Sequence, residues 1–108
     1  MSKLSPARKL ALDVLMEADR RGMYARDVLS SRASAKAIDQ RDSAFAARLA
    51  LGVAATQGIL DELLDQFLDK PKKVAPRVRM ALRILAFEML YLHTPGRVRS
   101  EERRVGKE

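Results

Sequence analysis

The chain contains no cysteine. That absence excludes disulfides, thiolate metal sites and thiol nucleophiles together. Tryptophan is also missing, aromatic residues make up only 5% of the chain, and β-branched residues are sparse, which argues against a sheet. The single histidine, His93, has no second histidine or carboxylate cluster at ligand spacing. It is expected to cap the end of its helix rather than hold a metal or move a proton. Glycines 22, 52, 58, 96 and 106 are scattered rather than gathered after a strand, so no phosphate-cradling loop is expected. No run approaches the roughly 18 apolar residues of a membrane span, and the N-terminus lacks the apolar stretch of a signal peptide. The expectation is a cytoplasmic protein with no membrane partner, no catalytic site and no cofactor of its own.

What is present is alanine, leucine and positive charge. Hydrophobic residues make up 47% of 108 residues, enough for one domain with a single core. The dominance of strong helix formers predicts an all-α bundle. Lysine and arginine number 21 against 14 acids, a formal net charge of +7. Residues 97–108 carry more basic than acidic side chains, yet the remainder is basic without them. Such a balance suits an anionic partner, because lysine and arginine neutralise phosphates and release counterions. A solvated basic surface with no partner is the plainer alternative.

Along the chain, Ser5-Pro6 is a helix start, the serine able to cap and the proline preset for the first helical position. Ala7, Leu10, Ala11, Val14, Leu15 and Ala18 then recur at helical spacing until Gly22. A shorter helix around Ala25, Val28 and Leu29 is expected to give way to a polar loop, "SSRASAK". Asp39 caps a third helix, with Asp42 in its first turn. Phe45, Leu49, Gly52, Val53 and Thr56 form its stripe, and Gly58 is expected to break or end it. Gly52, costly in a helix, is expected to let another backbone approach. Leu60, Leu63, Leu64, Phe67 and Leu68 mark the next helix, stopped at Lys70-Pro71.

Pro76 opens the last helix. Val78, Leu82, Leu85 and Met89 face one way and Ile84, Phe87 and Tyr91 others, so this helix expects cover on several sides. Arg79 and Arg83, four apart, share its polar strip, available to phosphate or to the acids of a neighbouring helix. A further amphipathic helix is expected after Pro95-Gly96, yet "RSEERRVGKE" offers few apolar residues. The chain is therefore expected to be truncated, with residues 97–108 a junction or read-through tail, or else a natural basic extension, set apart from a domain at 1–96.

Three segments resemble a known family. "ARKLALDVLMEADRRGMYARDVL", "DQRDSAFAARLALGV" and "LDELLDQFLDKPKKVAPRVRMALRILAFEMLYLHTP" are similar to NusB-like domains. The closer likeness is to the N-terminal domain of rRNA cytosine-C5 methyltransferases of the RsmB (Sun) type, through "RRGMYARDVL". The resemblance implies a NusB-like helical bundle of two small packed subdomains, the second incomplete here. It implies RNA binding: to boxA RNA with a ribosomal protein in stand-alone antitermination factors, or to ribosomal RNA in the methyltransferases. In the latter the domain is non-catalytic, and S-adenosylmethionine and the cysteine nucleophile belong to a domain this chain lacks.

Candidate RNA-binding residues are Lys3, Arg8 and Lys9, which match in placement the basic N-terminal segment of NusB proteins, and the cluster Lys70, Lys72, Lys73, Arg77, Arg79 and Arg83. Tyr24, Phe45, Phe67, Phe87 and Tyr91 are aromatic at helical spacing, expected mainly in the core rather than stacked on bases. The favoured expectation is a methyltransferase accessory domain that engages ribosomal RNA. The alternatives are a stand-alone antitermination factor and a helical protein-interaction module.

Overall fold

The computed structural model describes residues 5–35 and 39–92. Lys3, His93, the expected helix after Pro95-Gly96 and the boundary at residue 96 lie outside them. Ser5 Oγ accepts a hydrogen bond from the Arg8 amide at 3.3 Å, and α1 runs Pro6–Arg21. Gly22 ends it in the left-handed region, φ 65°, its N–H donating to the Ala18 carbonyl, as favoured for a glycine after a helix.

The second helix, α2, is Ala25–Ala35 and takes in residues 30–35, which had been expected as a loop. Serine costs a helix only a few tenths of a kcal/mol, and tertiary anchors offset it. Val28 and Leu29 are buried, and Arg32 Nε donates to Glu17 Oε1 of α1 at 2.7 Å.

The third helix, α3, spans Gln40–Phe67, with Asp39 capping its first turn. The expected break does not fall at Gly58, and the two helices read from the sequence run on as one kinked element. A kink falls instead at Thr56 (φ −117°, ψ 18°), whose Oγ1 donates to the Gly52 carbonyl at 2.8 Å. A threonine hydroxyl bonded four residues back bends a helix without ending it. Val53 and Leu60, both fully buried, anchor the chain on either side. By length and composition α3 is long and apolar enough to cross a membrane, although Arg48, Thr56 and Gln57 interrupt its apolar residues. It buries Ala46, Leu49, Ala50, Val53 and Leu60 in the bundle core instead.

One 3₁₀ turn, Pro71–Lys73, leads to α4, Pro76–Phe87, which continues as a wider π-helical turn, Glu88–Leu92. The all-α expectation holds: the described residues form helices and no strand. A single buried cluster runs through all four helices, so the two parts of the bundle share one core.

Gly52 serves close approach, but to a ring rather than a backbone. A Cβ there would lie 2.6 Å from Phe87 Cε1. Ile84 and Phe87, expected to await further cover, are already buried. The face of α4 left open is the opposite one, with Val78, Leu85 and Met89 exposed.

Gly52→Ala is expected to lower stability by about 1–3 kcal/mol through overpacking against Phe87. Gly58 has nothing within 4 Å of a built Cβ, so Gly58→Ala is expected to raise stability by up to about 1 kcal/mol. Urea unfolding of both variants checks the pair.

Candidate nucleic-acid interface

Ion pairing and exposure sort the candidate cations into three groups. Arg8 leaves α1 toward the end of α4, where its Nε and Nη2 meet the two carboxylate oxygens of Glu88 at 2.7 and 2.6 Å. Glu88 is only 4% exposed, and a buried carboxylate needs a paired, hydrogen-bonded cation. The guanidinium also lies over the Phe45 ring, 5.5 Å from its centroid, a cation–π distance. The Glu88 hydrogen bond outweighs the opposing effect of burial and holds Arg8 more firmly protonated. Arg8, a candidate RNA contact by sequence, is thus committed to Glu88 rather than free.

Arg79 and Arg83 are committed in the same way. Arg83 Nε and Nη2 grip Asp61 at 2.8 and 2.9 Å. Arg79 reaches Asp61 at 3.1 Å, Asp65 at 2.9 Å and the Pro71 carbonyl at 3.0 Å. They tie α4 to the second half of α3, the alternative role open to them in the sequence. Burial draws the Asp61 carboxyl upward, but hydrogen bonds from Arg83 and Arg79 prevail and hold it below the usual range.

Lys9 and Arg77 are intermediate. Both approach Asp13, at 3.5 and 3.3 Å, with more than half of each side chain exposed. Exposed pairs of this kind contribute little, so both cations stay available to a ligand.

Lys70, Lys72 and Lys73 are exposed and make no ion pair among the described residues. Pro71 presets their turn. The Lys73 amide donates to the Lys70 carbonyl at 2.9 Å, and Arg79 holds the Pro71 carbonyl. Arg79 thereby helps hold the free lysines beside the start of α4, where helix amides favour anions.

Sequence reasoning missed a further set. Arg26, Arg41 and Arg48 are exposed and also without an acidic partner among the described residues. Arg48 shares one exposed stripe of α3 with Ala44, Leu51 and Ala55, and this helical spacing was the signal that could have found it. Phe45 and Phe87 are in or against the core as expected, whereas Tyr24, Phe67 and Tyr91 stand 80%, 77% and 45% exposed. No group of three or more potential metal ligands occurs among the described residues.

A small basic helical bundle whose half-buried Arg79 braces an exposed lysine turn defines the class. The chain belongs to the NusB family, whose model matches residues 5–102. It is 44% identical over 99 residues to the transcription antitermination protein NusB of Cutibacterium acnes, covering 89% of this chain and 37% of that protein. It is 36% identical over 96 residues to the NusB antitermination protein of Arthrobacter sp. (strain FB24), covering 84% and 67%. A ribosomal RNA small subunit methyltransferase B of Thermus thermophilus is 38% identical over 84 residues, covering 77% and 21%. The chain therefore spans little more than a third of the first relative and about a fifth of the methyltransferase. No solved structure matches it. The superfamily expectation stands, but the closer tie to the methyltransferase branch does not, because identity to the first antitermination protein is higher.

Two outcomes are expected of these pairs. Arg8→Ala, which strands the buried Glu88, should cost about 3 kcal/mol, whereas the double variant Arg8→Met, Glu88→Leu should recover most of it in thermal unfolding. Asp61, with its lowered folded pKa, contributes stability that is full above the unfolded value near about 3.9 and is lost as pH falls through the folded value. Asp61→Asn should flatten that acid limb in unfolding measured across the range.

Proposed function

We propose that this chain is an RNA-binding NusB-type domain acting in transcription antitermination in the cytoplasm. Its primary contact is the Lys70, Lys72 and Lys73 turn, supported by Arg77 and Lys9. The observation that carries the reading is the division of labour among cations. Arg8, Arg79 and Arg83 are spent on Glu88, Asp61 and Asp65, while the three lysines face solvent without acids. A turn held by the committed Arg79 yet left positively charged suits phosphate, which lysine binds as a point charge. The family supports the biological setting, since relatives at 44% and 36% identity are antitermination proteins. By the same resemblance the RNA is a boxA-like single strand met together with a ribosomal protein.

A second reading rests on the methyltransferase relatives. There the same surface presents ribosomal RNA to a catalytic domain that binds S-adenosylmethionine. The 38% identity to the Thermus thermophilus enzyme and the "GMYARD" turn favour it. RNA binding is common to both readings. Readthrough of a terminator downstream of boxA in reconstituted transcription supports the first. No effect on readthrough, with tight binding to small-subunit ribosomal RNA, supports the second.

Lys70, Lys72 and Lys73 replaced together by glutamine should leave the fold intact and weaken binding to single-stranded RNA. The slope of log K against log salt should fall by about 2, since each phosphate contact on a single strand contributes about 0.7. Fluorescence anisotropy over a salt series measures it, and an unchanged slope removes the turn from the interface.

A further inference from the structure

The lysine turn does not stand alone on the surface. Lys72 and Arg79 border a hollow whose far side is Asp19, Gln57 and Met80. Those three residues also border a second hollow, which passes Gly22 and Met23 to reach Tyr24. Tyr24, Ala25 and Ala54 in turn belong to a third, of about 440 Å³, that opens between Arg26 of α2 and Leu51 and Ala55 of α3. Shared walls make the three one furrow. Its floor steps along α3 at Gln57, Ala54 and Leu51.

Tyr24 is the feature that gives the furrow a chemical meaning. Its ring is 80% exposed and makes no ring contact with another aromatic among the described residues. The backbone beneath it is nonetheless fixed. Its carbonyl accepts from the Asp27 and Val28 amides at 3.0 and 3.2 Å, and the preceding Met23 amide donates to Ala18 at 2.9 Å. A tyrosine on so tightly held a turn offers a flat face with little further ordering to be lost on binding. Small side chains opposite, Ala54 and Ala55, leave room over that face.

The charges fall in a telling order. Unpaired cations stand at the ends, Lys72 with its neighbours at one and Arg26 at the other. Carboxylates line the same hollows, Asp19 and Asp65 with Lys72 and Asp27 with Arg26, together with Gln57. A duplex backbone, negative along its whole length, fits poorly over those acids. An unpaired base does fit, since its amino groups donate to carboxylate or amide oxygens and its face stacks on an aromatic ring.

We infer that this furrow is a subsite for single-stranded RNA, in which one unpaired base stacks on Tyr24 while Arg26 and the lysine turn hold phosphates of the strand some nucleotides to either side. The inference rests on the single-stranded RNA reading above and extends it to a residue and a base-stacking contact.

The test uses the full chain with fluorescein-labelled oligoadenylate, oligouridylate and a mixed-sequence RNA duplex, followed by anisotropy. Tyr24→Ala should weaken single-strand binding about tenfold, the loss expected of one base stack, and leave duplex binding unchanged. Tyr24→Phe should bind as the parent does. A second readout is independent of affinity: the chain has two tyrosines and no tryptophan, so in Tyr91→Phe the tyrosine emission comes from residue 24 alone and should be quenched by the oligonucleotide. If Tyr24→Ala binds normally while the lysine variant does not, the furrow inference is overturned and the RNA reading stands. If the parent chain binds none of the three RNAs in a lysine-dependent way, both fall. Equal weakening toward duplex and single strand, or loss of a protein contact with RNA binding intact, also overturns the subsite.

Discussion

Where α4 meets α3, the Phe87 ring occupies the space a Cβ at Gly52 would need. That close approach depends on one missing side chain, and much of the remaining arrangement follows from it. With Phe87 seated there, the next residue, Glu88, is carried to Arg8 at the start of α1. One side of the same helix brings Arg79 and Arg83 against Asp61 and Asp65. Phe87 also stacks on Tyr91 at 5.1 Å, which steadies the π-helical turn that follows. A ring packed against a backbone is a stiff constraint, since close-packed interiors transmit displacement rather than absorb it.

The electrostatic organisation rests on that packing. A chain with a net charge of +7 must disperse its cations, and here the elements that make the bundle draw off part of them. Arg8, Arg79 and Arg83 become internal struts. The cations left without an acidic partner among the described residues include the lysines of the turn before α4, Arg26 at the start of α2, and Arg41 and Arg48 on α3. Basic composition alone therefore exaggerates the binding surface, and subtraction of the committed arginines leaves a smaller and more specific one.

Family membership and geometry bear on different parts of the functional question. Membership in the NusB family sets the domain among antitermination proteins and methyltransferases alike. It does not say which cations face a ligand. Geometry narrows that choice, since a guanidinium held by two carboxylates is a poor phosphate contact, whereas an exposed lysine on a preset turn loses little to bind. Geometry leaves the lysines of the short segment between α3 and α4 free of acids.

Sequence patterning by itself determined the all-α class, the limits of α1 from Ser5-Pro6 to Gly22, the Asp39 cap and the start of α4 at Pro76. These are local matters of capping, φ preference and helical spacing. It misplaced what local rules govern weakly: residues 30–35 became helix because α1 and α3 cover one side of α2, and Gly58 stayed helical because Val53 and Leu60 are pinned on either side. The candidate site was legible as a set of cations, but not which of them were free. Arg8 pairs across 80 residues of chain and Arg83 across 22, and no periodicity encodes partners at such separation. Tertiary structure alone decided that Ile84 and Phe87 would be covered, that Tyr24 would stand exposed, and that three hollows would join. Each depends on how helices cross, which is settled by shape at contacts such as Gly52 and Phe87 and not by any one helix's own pattern.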